Sequence, residues 1–326
     1  MRLLTRLFGR RAVNRATERD VPWQQVKPQL RPVLRTVTTG IGLAGAKRPL
    51  RGPAVPHLAE MVVVDQPTSM VYVGGHHLAR WGVSASDVFT VARANLAARV
   101  PYPDGERPDR PVMLRFMEDG DSYWSSCLLL DGWLARLEDR VGGRPVAFVP
   151  DRETLIVVAD EPQVIEKLFD MIEADYLAAA RAISPVPYVS DVNGRTVPYD
   201  APPGHPLHHP VRRAERVLAV QEYAQQRAVL AGAHGGTGLV ELTLVTRLDG
   251  TAYTTTAWPQ YGAALLPWAD FVGFHGPDEL FFVPWPEVVE HAPLWPVADL
   301  EPARYPVDGW PDGPALDALR ALAVDL

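Results

Sequence analysis

Val146-Ala147-Phe148-Val149-Pro150-Asp151-Arg152-Glu153-Thr154-Leu155-Ile156-Val157-Val158 places two apolar, β-branched runs on either side of a short polar centre. Proline followed by aspartate suits a type I turn, so the stretch predicts an antiparallel hairpin with Arg152 at its tip. The pattern recurs along the chain. Residues 61–64 and 70–73 flank Asp65-Gln66-Pro67-Thr68, and residues 112–117 lead through Asp119-Gly120 to a return strand at 122–125. Residues 239–246 and 251–258 flank Leu248-Asp249-Gly250, and 271–274 precede a further strand at 280–283. Strand pairs closed by tight turns favour antiparallel sheets, and hence an α+β fold over a doubly wound parallel sheet.

Helical periodicity fills the intervals. Ser84 with Asp87 three residues on makes a capping box, and Val88, Ala92 and Leu96 form one stripe of a helix that runs to residue 98. Asn95 lies beside that stripe, where an amide is expected to tie the helix to a neighbouring backbone. Residues 128–141 read as a helix interrupted by Gly132. Residues 163–183 give the strongest periodicity, with Ile165, Leu168, Phe169, Ile172 and Tyr176 on one face. A further helix carries Val217, Val220, Ala224 and Ala228 and stops near Gly232. Residues 286–291 form a helical turn, and the chain ends in a short helix near 315–323.

At 326 residues the chain exceeds the usual single folded unit. Residues 185–210 hold seven prolines and no sustained period, which predicts a linker. The expected organisation is a basic arm (1–57), an α+β domain (58–184), the linker (185–210), a second α+β domain (211–292) and a proline-rich acidic tail (293–326). Both domains are expected to be built from antiparallel hairpins and packing helices.

The net charge of −7 conceals an asymmetry: residues 1–51 carry 12 basic and 2 acidic side chains, which leaves −17 on the rest. In the first eleven residues Leu3, Leu4, Leu7 and Phe8 gather opposite Arg2, Arg6 and Arg10, with Arg11 following. A basic amphipathic segment of this kind docks on anionic lipid, on nucleic acid or on the protein's own acidic body. Arginines interrupt it too often for a secretory signal. The single cysteine, Cys127, suits a reducing compartment, so a cytoplasmic location is expected. No stretch combines the length and apolarity of a transmembrane helix.

Sites of known chemistry are sparse in the sequence. None of the three lysines follows glycine, which excludes a Walker A loop. Residues 232–238 are glycine-rich but lead into a strand rather than a helix, which predicts a connector. There is no nucleophile elbow, no His-Glu-x-x-His helix and no paired Cys-x-x-Cys. His205, His208 and His209 fall within five residues and are weak metal candidates, and His76-His77 forms a second pair. Cys127 sits in an apolar run and reads as a packed thiol. Six tryptophans, Trp81, Trp124, Trp133, Trp258, Trp268 and Trp285, fall in or beside predicted elements and are expected in the core. Arg152 at its hairpin turn is placed to grip an anionic partner or, as simply, to pair with Asp151, Glu153 or a nearby helix.

Four stretches together resemble the YtpQ-like family of bacterial proteins of unknown function. They are Pro49-Leu50 through Val62-Val63-Val64-Asp65 to Tyr72-Val73; Trp81-Gly82-Val83 through Asn95-Leu96; Gly120-Asp121-Ser122-Tyr123 through residues 149–155; and Tyr223-Ala224-Gln225 through Trp258, Leu265-Leu266-Pro267, Asp270 and Val283-Pro284-Trp285. The resemblance covers roughly residues 49–290 and implies a cytoplasmic bacterial protein. It transfers no catalytic residue.

The function expected from these features is a non-catalytic interaction or regulatory protein, requiring no cofactor, that binds another protein. Arg152, Asp151, Asp270 and Trp285 are its candidate contacts. Two alternatives stand beside it. One is a hydrolase using histidines with Asp65, Asp151 or Asp270 between the domains. The other is surface association on membrane or nucleic acid through Arg2, Arg6, Arg10 and Arg11.

Overall fold

A computed structural model describes residues 21–326 except 44, 68, 101–107, 111, 118–122 and 235–237. The fold is α+β, with β1 (Leu30–Thr36), β2 (Arg51–Pro53), β3 (Leu58–Gln66) and β4 (Ser69–Tyr72) forming a first, antiparallel sheet centred on β3. Both faces of β3 are buried, which explains the continuous apolar run from Met61 to Val64. Its even positions Val62 and Val64 pack with Leu30 against Val88 and Ala92 of the helix Ala85–Ala97. Its odd positions Met61 and Val63 meet Val33 of β1 and Tyr72 of β4. Asn95 donates to the carbonyls of Lys27 and Leu30 at 2.8 and 3.0 Å, fastening the helix to the start of β1.

Residues 30–57 are therefore not an arm. The arginines of 1–51 raise its charge, but β1 alternates them with apolar side chains and is buried along nearly its whole length. Arg2, Arg6, Arg10 and Arg11 lie outside the described residues.

The second sheet runs β5 (Leu114–Met117), β7 (Thr154–Ala159), β6 (Pro145–Asp151), β8 (Ala182–Ser190) and β9 (Thr196–Pro198) in spatial order. The hairpin β6–β7 is as the sequence predicts. Asp119-Gly120 lies outside the described residues, and β5 pairs with β7 instead of a strand at 122–125. Residues Trp124–Leu129 form a 3-10 helix drawn onto β1, where the Ser126 hydroxyl accepts the Leu34 N–H at 3.2 Å. Residues 128–141 break into short turns that bury Cys127, Trp133 and Leu137 completely.

Prolines account for two further departures. The periodic stretch 163–183 divides into Pro162–Glu166 and Phe169–Ala178 and then turns into β8, because Pro185 and Pro187 bias the residues before them towards extended backbone. The first part of the expected linker, 185–190, is thus buried strand. The β6–β8 register shifts between Ala147 and Val149, so the two prolines fall in an irregularity where no ladder N–H is needed.

A 27-residue helix, His208–His234, follows and buries two faces. Val211, Ala214, Val217 and Leu218 join the core of the second sheet, while Ala219 and Tyr223 meet Leu242 and Ala269. Beyond it, β10 (Leu242–Thr246), β11 (Ala252–Pro259), β13 (Phe271–His275) and β14 (Leu280–Pro284) make a third sheet. The pair β11–β13 is parallel, because the chain between them leaves as β12 (Ala263–Pro267) to pair with β15 (Arg304–Asp308). The acidic tail therefore supplies a strand. Residues 304–308 and the helix Gly313–Ala321 share a core with Trp258, Phe274 and Trp285.

Candidate functional site

Alternation along β1 puts Arg31, Val33 and Arg35 on one side and Leu30 and Leu34 on the other. Arg35 is 5% exposed and directs Nε to the Tyr72 hydroxyl at 3.1 Å and Nη1 to the Leu34 carbonyl at 2.7 Å. The β6–β7 turn delivers Arg152 to the same place. Arg152 interacts with Tyr72 and is flanked by Arg35 and by Arg181, whose carbonyl accepts the Arg152 N–H at 3.2 Å. Burial and the neighbouring Arg35 guanidinium lower the pKa of Arg152. Its Nε is sealed from solvent without a hydrogen-bond partner. Among the described residues, no carboxylate lies within ion-pair distance of Arg35 or Arg152.

A cleft of about 310 Å³ opens beside Arg152. Arg181 and the hydroxyl-bearing Thr36, Thr38 and Thr39 line it from one side, and Gln221, Glu222 and Gln225 of the long helix from the other. Glu222 is 3% exposed and accepts the Thr38 N–H and hydroxyl at 3.2 and 2.9 Å. Burial pushes its carboxyl up to about 7, against the Thr38 bonds and the Arg51 charge, which pull the other way. Near neutral pH the cleft is therefore rich in donors, opposed only by a partly protonated Glu222 and by Glu153, which lies 3.9 Å from Arg181 at an exposed edge. Such a cage suits an oxyanion.

The other sequence candidates have structural roles. Asp151 Oδ1 accepts the Glu153 N–H at 2.7 Å, closing the hairpin turn that presents Arg152. Asp270 takes both Nε and Nη2 of Arg216 at 2.8 Å and the N–H and hydroxyl of Thr254, so its lone pairs are committed. Trp285 is buried at the head of a helix with its ring edge-on to Tyr305. Asp65 stands opposite Met70 in the β3–β4 hairpin.

The three clustered histidines point to different partners. His205 Nδ1 accepts the Leu207 N–H, His208 Nδ1 contacts the Ala201 carbonyl, and the His209 ring stands edge-on to His208. His77 accepts the Gly74 N–H and so caps its own helix, while His76 reaches the Ala46 carbonyl. Among the described residues no three His, Cys, Asp or Glu side chains are placed to hold a metal. No helix there is long and apolar enough to cross a membrane. Trp268 departs from the expected core position, being 43% exposed.

Sequence reasoning named Arg152, among other candidates, but not its companions Arg35, Tyr72, Arg181 and Glu222. The signal for Arg35 was an arginine alternating with apolar residues in a strand-like run, which the high positive charge of 1–51 obscured. No known protein family, characterised protein or solved structure matches the chain.

Proposed function

We propose that this chain is a non-catalytic recognition protein that grips an oxyanion, phosphate or carboxylate, presented by another protein at the Arg152 cleft. One observation carries the reading: Arg152 lines the cleft beside Arg181 with Arg35 behind it, and among the described residues no carboxylate lies within ion-pair distance of Arg152. Like charges in a partly buried cluster repel, so the arrangement gains when an anion enters the cleft. Leu177 lines the same cleft and is 54% exposed, which supports a peptide neighbour over a free ion. The resemblance to the YtpQ-like family adds no activity to this reading.

The test is thermal and calorimetric titration of the full chain with inorganic phosphate, with acetate, and with phosphoserine- and glutamate-bearing peptides. Anion at a hundredfold excess over Kd is expected to add about 2.7 kcal/mol of stability. Arg152→Met is expected to abolish that response while melting at or above the wild-type temperature without anion, because the repulsion with Arg35 and Arg181 is relieved. An unchanged anion response in Arg152→Met rules the site out. Relative affinity for the two peptides identifies which group the partner presents.

A further inference from the structure

A second cavity, of about 470 Å³, lies on another side of the long helix and shares no lining residue with the Arg152 cleft. Its walls include Val186, Tyr188, Leu218, Ala219 and Trp268. Four lining carboxylate or guanidinium groups form two closed pairs. Arg212 pairs with Glu215 at 2.8 Å, Arg216 pairs with Asp270, and Thr254 turns to Asp270 as well. Tyr188 directs its hydroxyl to Ser184 at 2.7 Å. These polar groups are spent on each other, so the cavity offers an entering molecule mainly apolar surface.

His57 is the exception. It lines this cavity and the adjoining one, which Trp268 also borders. Its φ of 63° is a left-handed conformation that costs a non-glycine residue roughly 1 kcal/mol and is retained at sites that use it. The ring meets Tyr223 edge-on at 6.4 Å, and among the described residues its nitrogens have no hydrogen-bond partner. Burial lowers its pKa to about 4, which keeps the imidazole neutral at ordinary pH with an unprotonated nitrogen able to accept. A half-exposed indole at the rim, apolar walls, internally paired charges and one free neutral acceptor together define a ligand. Native interiors rarely keep so large a space unless something fills it.

We propose that this cavity binds a neutral, planar aromatic heterocycle that stacks on Trp268 and donates an N–H to His57. A charged ligand finds no unpaired counter-charge, and a purely aliphatic one leaves the imidazole unsatisfied. The site is independent of oxyanion recognition at Arg152.

The experiment titrates the full chain with indole, 1-methylindole and benzoate, followed by ligand-observed NMR and calorimetry. Indole is expected to bind at least fivefold more tightly than 1-methylindole, whose methyl group blocks donation, and more tightly than benzoate. Trp268→Ala is expected to weaken both indoles at least tenfold. His57→Gly separates binding from folding, since glycine accepts the left-handed conformation. It is expected to melt no lower than wild type and to bind indole only as well as 1-methylindole. Equal affinity for the two indoles overturns the proposal. So does a preference for benzoate, the absence of binding by all three probes, or indole affinity that survives both substitutions.

Discussion

Replacing Glu222 by glutamine is expected to make the protein more stable above pH 7 and to flatten its stability between pH 4.5 and 7. Burial raises the Glu222 carboxyl from an ordinary 4.5 to about 7, so in that window the folded protein holds a proton that the unfolded chain has released. Stability contributed by this group is intact below pH 4.5, declines as pH rises through the window, and is gone above 7. The full linkage is about 3 kcal/mol. Glutamine keeps an oxygen for the Thr38 N–H and hydroxyl but cannot ionise. Urea midpoints at pH 4.5, 6 and 8 check this: the variant is expected to gain most of that amount at pH 8 and nothing at pH 4.5. Parallel pH profiles for the two proteins would show that Glu222 titrates normally.

The same substitution reads the cleft. As Glu222 ionises, it sets a negative charge opposite Arg152 and Arg181, so phosphate affinity in the wild type is expected to fall between pH 6 and 8. In Glu222→Gln no such decline is expected, because phosphate itself gains negative charge over the same range and the arginines then hold it at least as well. Arg51 and Thr36 also face Glu222, and both favour its ionised form, which limits how far the pKa rises.

Local chemistry made much of the fold legible. The hairpins β6–β7, β10–β11 and β13–β14 were marked by Pro-Asp, Asp-Gly and alternating apolar residues, and the capping box at Ser84 fixed its helix to the residue. Pairings between distant segments were not legible. The sequence around Ala263 gives no sign that β12 will pair with β15 and so leave β11 and β13 parallel, because that choice is made by the core they share. Composition misled at two places. Proline content concealed β8, and the positive charge of 1–51 concealed β1, although neither property prevents burial once the backbone donors are unneeded or the guanidiniums find acceptors.

The site divides in the same way. Arg152 could be found because a single hairpin positions it. Arg35, Arg181 and Glu222 come from a strand of the first sheet, the turn just before β8 and the middle of the long helix, and meet only in the folded chain. Asp270 was a candidate contact and a candidate carboxylate for a hydrolase site between the domains, yet its environment is a closed ion-pair network. Residue type suggested reactivity there, and the partners determine that the group is structural.

Arg304→Met is expected to be the most damaging single substitution of a charged residue, costing about 3–5 kcal/mol. Arg304 is wholly buried and has no carboxylate partner among the described residues. Its guanidinium donates to Gln226 Oε1 and to the carbonyls of Val240 and Leu265 at 2.8 and 2.9 Å, and it lies 5.2 Å from the Tyr223 ring centroid. Burial lowers its pKa to about 10, so carrying the charge inside is itself unfavourable. A methionine of similar volume removes that penalty. It nevertheless strands the Gln226 Oε1 and the Val240 carbonyl, each costing about 1–3 kcal/mol when left unpaired, while the Leu265 carbonyl keeps only the Val240 N–H. The neighbouring contacts depend on the same geometry: Gln226 also donates to the Pro302 carbonyl and the Tyr223 hydroxyl to that of Ala303. Hydrogen exchange is therefore expected to show β15 and β12 opening first in the variant, ahead of the β6–β7 hairpin. Arg227→Ala removes an exposed pair with Glu241 from the same helix and is expected to change stability by less than about 0.5 kcal/mol. Comparable losses in the two variants would mean that Arg304 acts only as a surface-like charge. A loss confined to Arg304→Met establishes that the acidic tail is bound to the long helix through hydrogen bonds to backbone carbonyls rather than through its net charge.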